Sequence, residues 1–266
     1  MQWPIPPFPT KAVTGSTVTL TSSGATNSKG SWQTLLSGLP SPAAWVCVGT
    51  PRNLFSGWHG FLLDLAVGGS GSETVIAPNL LIGFRGWRGT MFPLHIPAGA
   101  TVRGRVSCQQ GSQSTTVQLG AYLAEPDSGV SAPGRITPYG VSTSATGGTN
   151  VTPSGTANTK GSWAQLTAAT TAPIHALMVL VQGSTINQSM VDYLVDIGVG
   201  GSGSETVIIP DHSVMIDTNE IAWPYTPEFY PLSLSIPAGV RLAARCASRS
   251  NTLTTPIEVA VYGFTY

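Results

Sequence analysis

Charge is what this chain has little of. Only 9% of its 266 residues are Asp, Glu, Lys or Arg, against about a quarter in an ordinary soluble domain. The 12 basic and 12 acidic residues cancel. Such a balance excludes the basic footprint of a nucleic-acid binder and the polybasic patch of a membrane-surface protein. It also removes one defence against self-association, so a homo-oligomer packed into an assembly is expected. No apolar run reaches the roughly 18–20 residues of a membrane helix, so no membrane insertion is expected. The start, Met1 to Pro9, lacks the charged head and apolar core of a signal peptide, which points to synthesis in a cytoplasm. Three cysteines are present, Cys47, Cys108 and Cys246, with no CxxC spacing for a structural zinc. Cys108 and Cys246 look like matching places in two repeats and read as small buried apolar residues. Cys47 has no cysteine counterpart; Met178 or Val179 lies near its place. The histidines His59, His95, His175 and His212 share no ligand spacing. No GxSxG is present, and no cofactor is expected.

What the chain does have is repetition. Gly68-Gly-Ser-Gly-Ser-Glu73-Thr-Val-Ile76 returns as Gly200-Gly-Ser-Gly-Ser-Glu205-Thr-Val-Ile208. Each copy follows an apolar run holding one aspartate, Asp64 and Asp196. Asn27-Ser-Lys29-Gly30-Ser-Trp32 returns as Asn158-Thr-Lys160-Gly161-Ser-Trp163, and Ile96-Pro-Ala-Gly99 as Ile236-Pro-Ala-Gly239. Between these signals run short β-branched stretches with period-two alternation, as in Thr101–Val106 and Thr116–Tyr122. With 31 Gly and 21 Pro marking turns, each copy reads as seven or eight short strands and no helix. The expected fold is all-β: two tandem antiparallel β-sandwich, jelly-roll-like domains from an internal duplication.

Four segments follow from this reading. Residues 1–12 form an extended proline-rich arm. Residues 13–124 are the first repeat, 125–149 a linker rich in Gly, Pro, Ser and Thr, and 150–266 the second repeat. Trp3, Ile5 and Phe8 put apolar groups on the arm, which suits docking on a neighbouring subunit as well as a loose terminus. The offset between copies grows from 132 at the glycine-rich turn to 140 at Pro-Ala-Gly. About eight extra residues therefore fall between Ile208 and Leu232, in a loop expected over Asp211 to Pro231. Insertions of this kind tend to carry function.

The candidate chemistry has bland and sharp readings. Gly198-Val-Gly200-Gly-Ser-Gly203 matches GxGxxG, but β-branched residues and Pro210 follow where a dinucleotide site needs a helix. A strand-to-strand loop is the better account. Asp64 with Glu73, and Asp196 with Glu205, could act as acid–base pairs on a glycosidic bond or hold calcium. They could also be structural, the aspartate accepting hydrogen bonds from the glycine-rich turn and the glutamate doing likewise or facing solvent. Repetition favours the structural reading, since a fold needs its turn twice and an enzyme needs one site. Trp32 and Trp163 suit core packing more than sugar stacking because their place repeats. Trp58, Trp87, Trp223, Tyr225, Phe229 and Tyr230 do not repeat and are candidates for ligand or partner contact.

The repeated block, Asn-x-Lys-Gly-Ser-Trp, then Asp-Ile-Gly-Val-Gly-Gly-Ser-Gly-Ser-Glu-x-Val-Ile-x-Pro, then Ile-Pro-Ala-Gly, resembles a module of structural proteins in tailed bacteriophages and prophages. The resemblance covers most of both repeats and rests on turn-forming residues. It implies a virion component, a head decoration, spike or tail-fibre part, with other virion proteins as partners. A carbohydrate-binding module contacting a host-surface glycan is the second reading, motivated by the loop aromatics. A glycosidase is the third.

Overall fold

The computed structural model describes residues 12–50, 60–82, 89–124, 132–183, 191–216 and 228–265. The arm residues Trp3, Ile5 and Phe8, and Trp58, Trp87, Trp223 and Tyr225, lie outside the described residues, as does His59. Among the described residues the chain is all-β with antiparallel strand pairs, and no helix is long and apolar enough to cross a membrane.

Among its described residues the first repeat holds nine strands. They are β1 (Ala12–Thr14), β2 (Val18–Thr21), β3 (Gln33–Leu36), β4 (Ala43–Gly49), β5 (Phe61–Val67), β6 (Thr74–Ile82), β7 (Gly89–Ile96), β8 (Val102–Cys108) and β9 (Ser114–Leu123). One sheet has the order β1-β9-β4-β7 with β2 also on β9; the other has β3-β8-β5-β6. The pairs β2·β9, β3·β8, β4·β7 and β5·β6 are nested, so the chain is a long hairpin folded over on itself. That winding is the jelly roll. Period-two burial follows from it: Val46 and Val48 on β4 face Val117, Leu119 and Ala121 on β9 across the inner side, all 2% exposed or less.

The second repeat has the same nine in the same order. They are β10 (Arg135–Tyr139), β11 (Thr149–Val151), β12 (Ala164–Thr167), β13 (Ile174–Gly183), β14 (Val191–Val199), β15 (Thr206–Ile216), β16 (Glu228–Ile236), β17 (Leu242–Ser248) and β18 (Ile257–Thr265). Its sheets run β10-β18-β13-β16, with β11 on β18, and β12-β17-β14-β15. Leu177, Val179 and Val181 of β13, Val195 and Ile197 of β14, and Val259 and Val261 of β18 fill its core. The described residues fall into two compact units, one within 12–137 with 143–146 and 264–265, the other within 138–142 and 147–263.

Three sequence expectations are corrected here. The stretch 125–149, expected as a linker, contains β10 and the start of β11, so its second half supplies strands that match β1 and β2. The loop expected over Asp211–Pro231 is strand at both ends, because β15 runs to Ile216 and β16 begins at Glu228. Phe229 and Tyr230 are therefore half-buried strand residues. Finally, Cys108 and Cys246 do not match. Arg105 opposite Asp64 corresponds to Arg245 opposite Asp196, which makes Val106 the counterpart of Cys246 and Ser248 that of Cys108. Both cysteines are buried and all three are free thiols. Burial raises the Cys246 thiol to about 12, so it behaves as a small apolar residue.

Candidate functional site

The repeated residues converge on one polar cluster per repeat, built around the buried aspartate Asp64 of β5 or Asp196 of β14. Opposite Asp64, β6 carries one residue too many: Leu63 pairs with Leu80 and Leu65 with Ala77, leaving Pro78 and Asn79 facing a single residue. This is a β-bulge, and Asn79 adopts φ 52°, a left-handed value that Asn tolerates. The bulge breaks the ladder, and the freed Asn79 N–H donates to Asp64 Oδ1 at 2.9 Å. The second repeat does the same with Pro210 and Asp211 (φ 49°), whose N–H donates to Asp196 Oδ1 at 3.0 Å.

Two cations complete each cluster. Lys29 Nζ lies 2.8 Å from Asp64 Oδ1 and donates to Leu62 O; Arg105 Nε lies 2.9 Å from Asp64 Oδ2. Lys160 and Arg245 hold Asp196 at 2.6 and 2.9 Å. The aspartate side chains are only 5% exposed. Burial penalises the Asp196 carboxylate, but the Asp211 N–H, Lys160 and Arg245 outweigh it and hold its pKa below the ordinary value. Burial likewise pushes the Lys29 ammonium below its ordinary value, against the pull of Asp64.

Each arginine also lies over a tryptophan. Arg105 Cζ is 4.3 Å from the Trp32 ring centre and Arg245 Cζ 4.5 Å from that of Trp163, a cation–π distance. These tryptophans are half-buried, not in the sandwich core as their repetition suggested. The period-two face explains the difference. On β8, Val102, Gly104 and Val106 alternate with Arg103 and Arg105, and Trp32 lies with the arginine, away from the inter-sheet side. Trp163 covers Gly198, where a Cβ would come within 2.7 Å of its ring. The first glycine of the GxGxxG pattern thus makes room for an indole.

The rest of the Asn-x-Lys-Gly-Ser-Trp motif has equally local causes. Asn27 and Asn158 take φ near 57–58°. A Cβ on Gly30 would lie 1.7 Å from Thr21 O, and one on Gly161 2.1 Å from Thr152 O. The glutamates close the hairpins: Gly71 N–H donates to Glu73 Oε2 and Gly203 N–H to Glu205 Oε2, both at 3.0 Å. Each other oxygen takes an arginine, Arg103 on Glu73 and Arg241 on Glu205. Burial opposes ionisation of Glu205, yet the Arg241 hydrogen bond outweighs it and holds its pKa below the ordinary value. The glutamate was expected to hydrogen-bond the glycine-rich turn and does so. The aspartate was expected there too, and instead holds the bulge of the neighbouring strand.

This chemistry is that of a lock. Asp64 and Asp196 each accept three hydrogen bonds, from a lysine, an arginine and a backbone N–H, which occupy most of the acceptor sites of each carboxylate. A calcium ion would have to displace a lysine and an arginine. No cluster of His, Cys, Asp and Glu suited to a metal occurs among the described residues. The lysine and arginine partners were not singled out from sequence. Arg105 and Arg245 each follow the glycine of Pro-Ala-Gly by six residues (105 − 99 and 245 − 239), a spacing that could have revealed them.

Of the non-repeating aromatics, Tyr230 lies on β16. Its hydroxyl lies 2.8 Å from His212 Nδ1, with the rings edge-to-face at 5.9 Å, and it packs against the core of the second repeat.

No protein-family model matches the chain, and no curated protein matches it. Solved structures are similar to it at low identity. PNGF-II is 9% identical with a TM-score of 0.40, over 94% of this chain and 65% of that one. This chain therefore spans less than two thirds of the length of PNGF-II. PNGase F, a glycosylasparaginase from Flavobacterium meningosepticum, is 11% identical with a TM-score of 0.30, over 94% and 96%. The tandem CBM22-1–CBM22-2 domain of Paenibacillus barcinonensis Xyn10C is 10% identical with a TM-score of 0.26, over 88% and 82%.

Proposed function

We propose that this chain is a non-enzymatic structural protein of a bacteriophage virion, a head decoration, spike or tail-fibre component. Its arm docks it, and its two jelly rolls serve assembly and host-surface contact. The observation that carries the reading is the full engagement of Asp64, Glu73, Asp196 and Glu205 in ion pairs and turn hydrogen bonds, twice over. Residues that would serve a glycosidase are consumed by architecture, which leaves a module whose motif is its fold. The sequence resemblance to phage structural modules and the low charge point the same way. Gold-labelled antibody on purified particles tests it. Label on the head means decoration or spike, label on the tail means adsorption apparatus, and particles without label overturn the proposal. Deleting residues 1–12 should abolish incorporation; normal incorporation would refute the arm's role.

A carbohydrate-binding role is the second reading. What favours it is the outward face of β4 and β9, where Trp45 and Tyr122 are cross-strand neighbours and half-buried.

A further inference from the structure

At 11 residues, β15 is the longest strand among the described residues, and it closes one side of the sheet β12-β17-β14-β15. β14 pairs along one side of it; among the described residues no strand pairs with the other. An edge strand presents a row of backbone N–H and C=O groups to any chain that can lie beside it. The exposed large hydrophobics of the described residues, Val207 and Met215, both lie on this strand.

The bulge at Pro210 and Asp211 divides β15. Proline has no N–H to give a new neighbour, and Asp211, its side chain 63% exposed, carries a charge there against Lys160. Both features blunt the middle of the edge. They stop at His212. From there the strand pairs with β14 residue for residue, His212 on Val195 through Ile216 on Val191. This stretch holds no proline, glycine, Asp, Glu, Lys or Arg.

Alternation sorts these residues. His212, Val214 and Ile216 are buried, and Ser213 and Met215 are exposed on the outward face. On the same face β14 puts half-buried Leu194 beside Ser213 and Asp192 beside Met215. Asp192 is engaged by Arg249 at 2.9 Å. A large side chain and a small one therefore stand two residues apart. A two-fold axis through Val214 sets a second β15 antiparallel to the first, with Ser213 of each copy across from Met215 of the other. Each Met215 then covers the small Ser213 of the other copy and reaches toward its Leu194. The strand is thus complementary to itself, which a two-fold contact between identical chains requires. No charge on either segment opposes the contact, and a net charge of zero adds no repulsion between copies.

We propose that β15 is a dimerisation edge, two copies of this chain pairing antiparallel over His212–Ile216 about a two-fold axis at Val214. So short a paired stretch makes a small interface, and the dimer is weak and concentration-dependent. The proposal goes beyond the virion reading and does not depend on it. A chain absent from particles can still dimerise, and a chain incorporated as a monomer leaves that reading standing.

Analytical ultracentrifugation of the full chain over a wide range of concentration tests it. The parent should pass from monomer to a dimer plateau with no larger species. Ser213→Glu and Met215→Lys change exposed side chains, so each should keep the melting temperature that the parent shows at monomeric dilution. Each should also raise the dimer dissociation constant by at least about tenfold. An equimolar mixture of the two variants should recover the dimer, because the new carboxylate of one chain then faces the new ammonium of the other. A parent that stays monomeric, association that grows without a plateau, or a Met215→Lys chain that dimerises like the parent overturns the proposal. So does a mixture that associates no better than either variant alone, since the two positions then do not face each other.

Discussion

The two repeats make the same glutamate–arginine bond with arginines that start two residues apart. In the second repeat Arg241 precedes β17, and its own carbonyl accepts from Gly200 N–H. In the first repeat that backbone place belongs to Thr101, whose carbonyl accepts from Gly68 N–H, and the ion pair comes from Arg103 on β8. Two residues along a strand return to the same face, so the charge reaches the same glutamate from either place. The move has a local consequence: Arg241 Nε donates to Gln165 Oε1 at 3.1 Å, whereas Arg103 Nε is buried with no hydrogen-bond partner. What the fold holds constant is a charge at a point in space. A second contrast lies at the bulge, where Asn79 is neutral and Asp211 adds a carboxylate 2.9 Å from Lys160. A third lies between the sheets, where the buried apolar residues Leu80 and Phe92 are replaced by the hydrogen-bonded His212 and Tyr230.

Removing the aspartates should separate the repeats most widely. Asp64→Ala leaves Lys29 and Arg105 without a counter-charge in a buried site, at a cost of about 3–5 kcal/mol. Asp196→Ala should cost its own unit less, because Asp211 still neutralises Lys160. Hydrogen exchange by mass spectrometry during urea unfolding reads each unit separately; equal losses would mean that Asp211 contributes nothing. The second unit should also lose stability on acidification. Asp196 and Glu205 have folded-state pKa values below their ordinary ones. The unfolded chain therefore takes up protons first as pH falls. Their stabilisation is complete above about pH 5, clear of the unfolded values, and is lost as pH drops through the folded values. Asp196→Asn should flatten the acid limb of the second unit's stability curve, and an unchanged limb would place the acid sensitivity elsewhere.

Arg103→Ala should cost about 1.5–3 kcal/mol, the scale of a hydrogen bond to a charged group. Thr101→Arg in that background should restore most of it by transplanting the second repeat's arrangement. Failure of the double variant to recover would show that the two arginines are not interchangeable on one face. Tyr230→Phe removes the His212 bond and should cost about 0.5–1.5 kcal/mol, read as a lower urea midpoint for the second unit only. The smallest effect is expected on β15, an edge strand with Val207 and Met215 exposed at 36% and 40%. Val207→Lys with Met215→Lys should change stability by under about 0.5 kcal/mol and reduce association in light scattering at high concentration.

Much of this molecule could be read from its residues. Alternation and turn signals announced an all-β chain, and the repeated Asn-x-Lys-Gly-Ser-Trp and Gly-Gly-Ser-Gly-Ser-Glu blocks announced two copies of one sandwich. These are local properties: a left-handed Asn, a glycine against a carbonyl, a hairpin closed by its own glutamate. Each depends on a few neighbouring residues, so a linear pattern carries it. The partners of Asp64 and the placing of Trp32 were not legible in that way. Asp64 meets Lys29, Asn79 and Arg105 from three other segments of the chain. Whether an aspartate between leucines is an acid, a metal ligand or a lock depends on which cations arrive beside it, and strand register and the bulge at Asn79 decide that. Register is also why the match between Cys108 and Cys246 failed, since a two-residue slip is invisible in composition and fully determined by hydrogen-bond pairing. By itself the sequence determined the fold class, the duplication and the turns. Only the tertiary structure decided which side of each sheet a residue faces, and with it that the repeated carboxylates are neutralised.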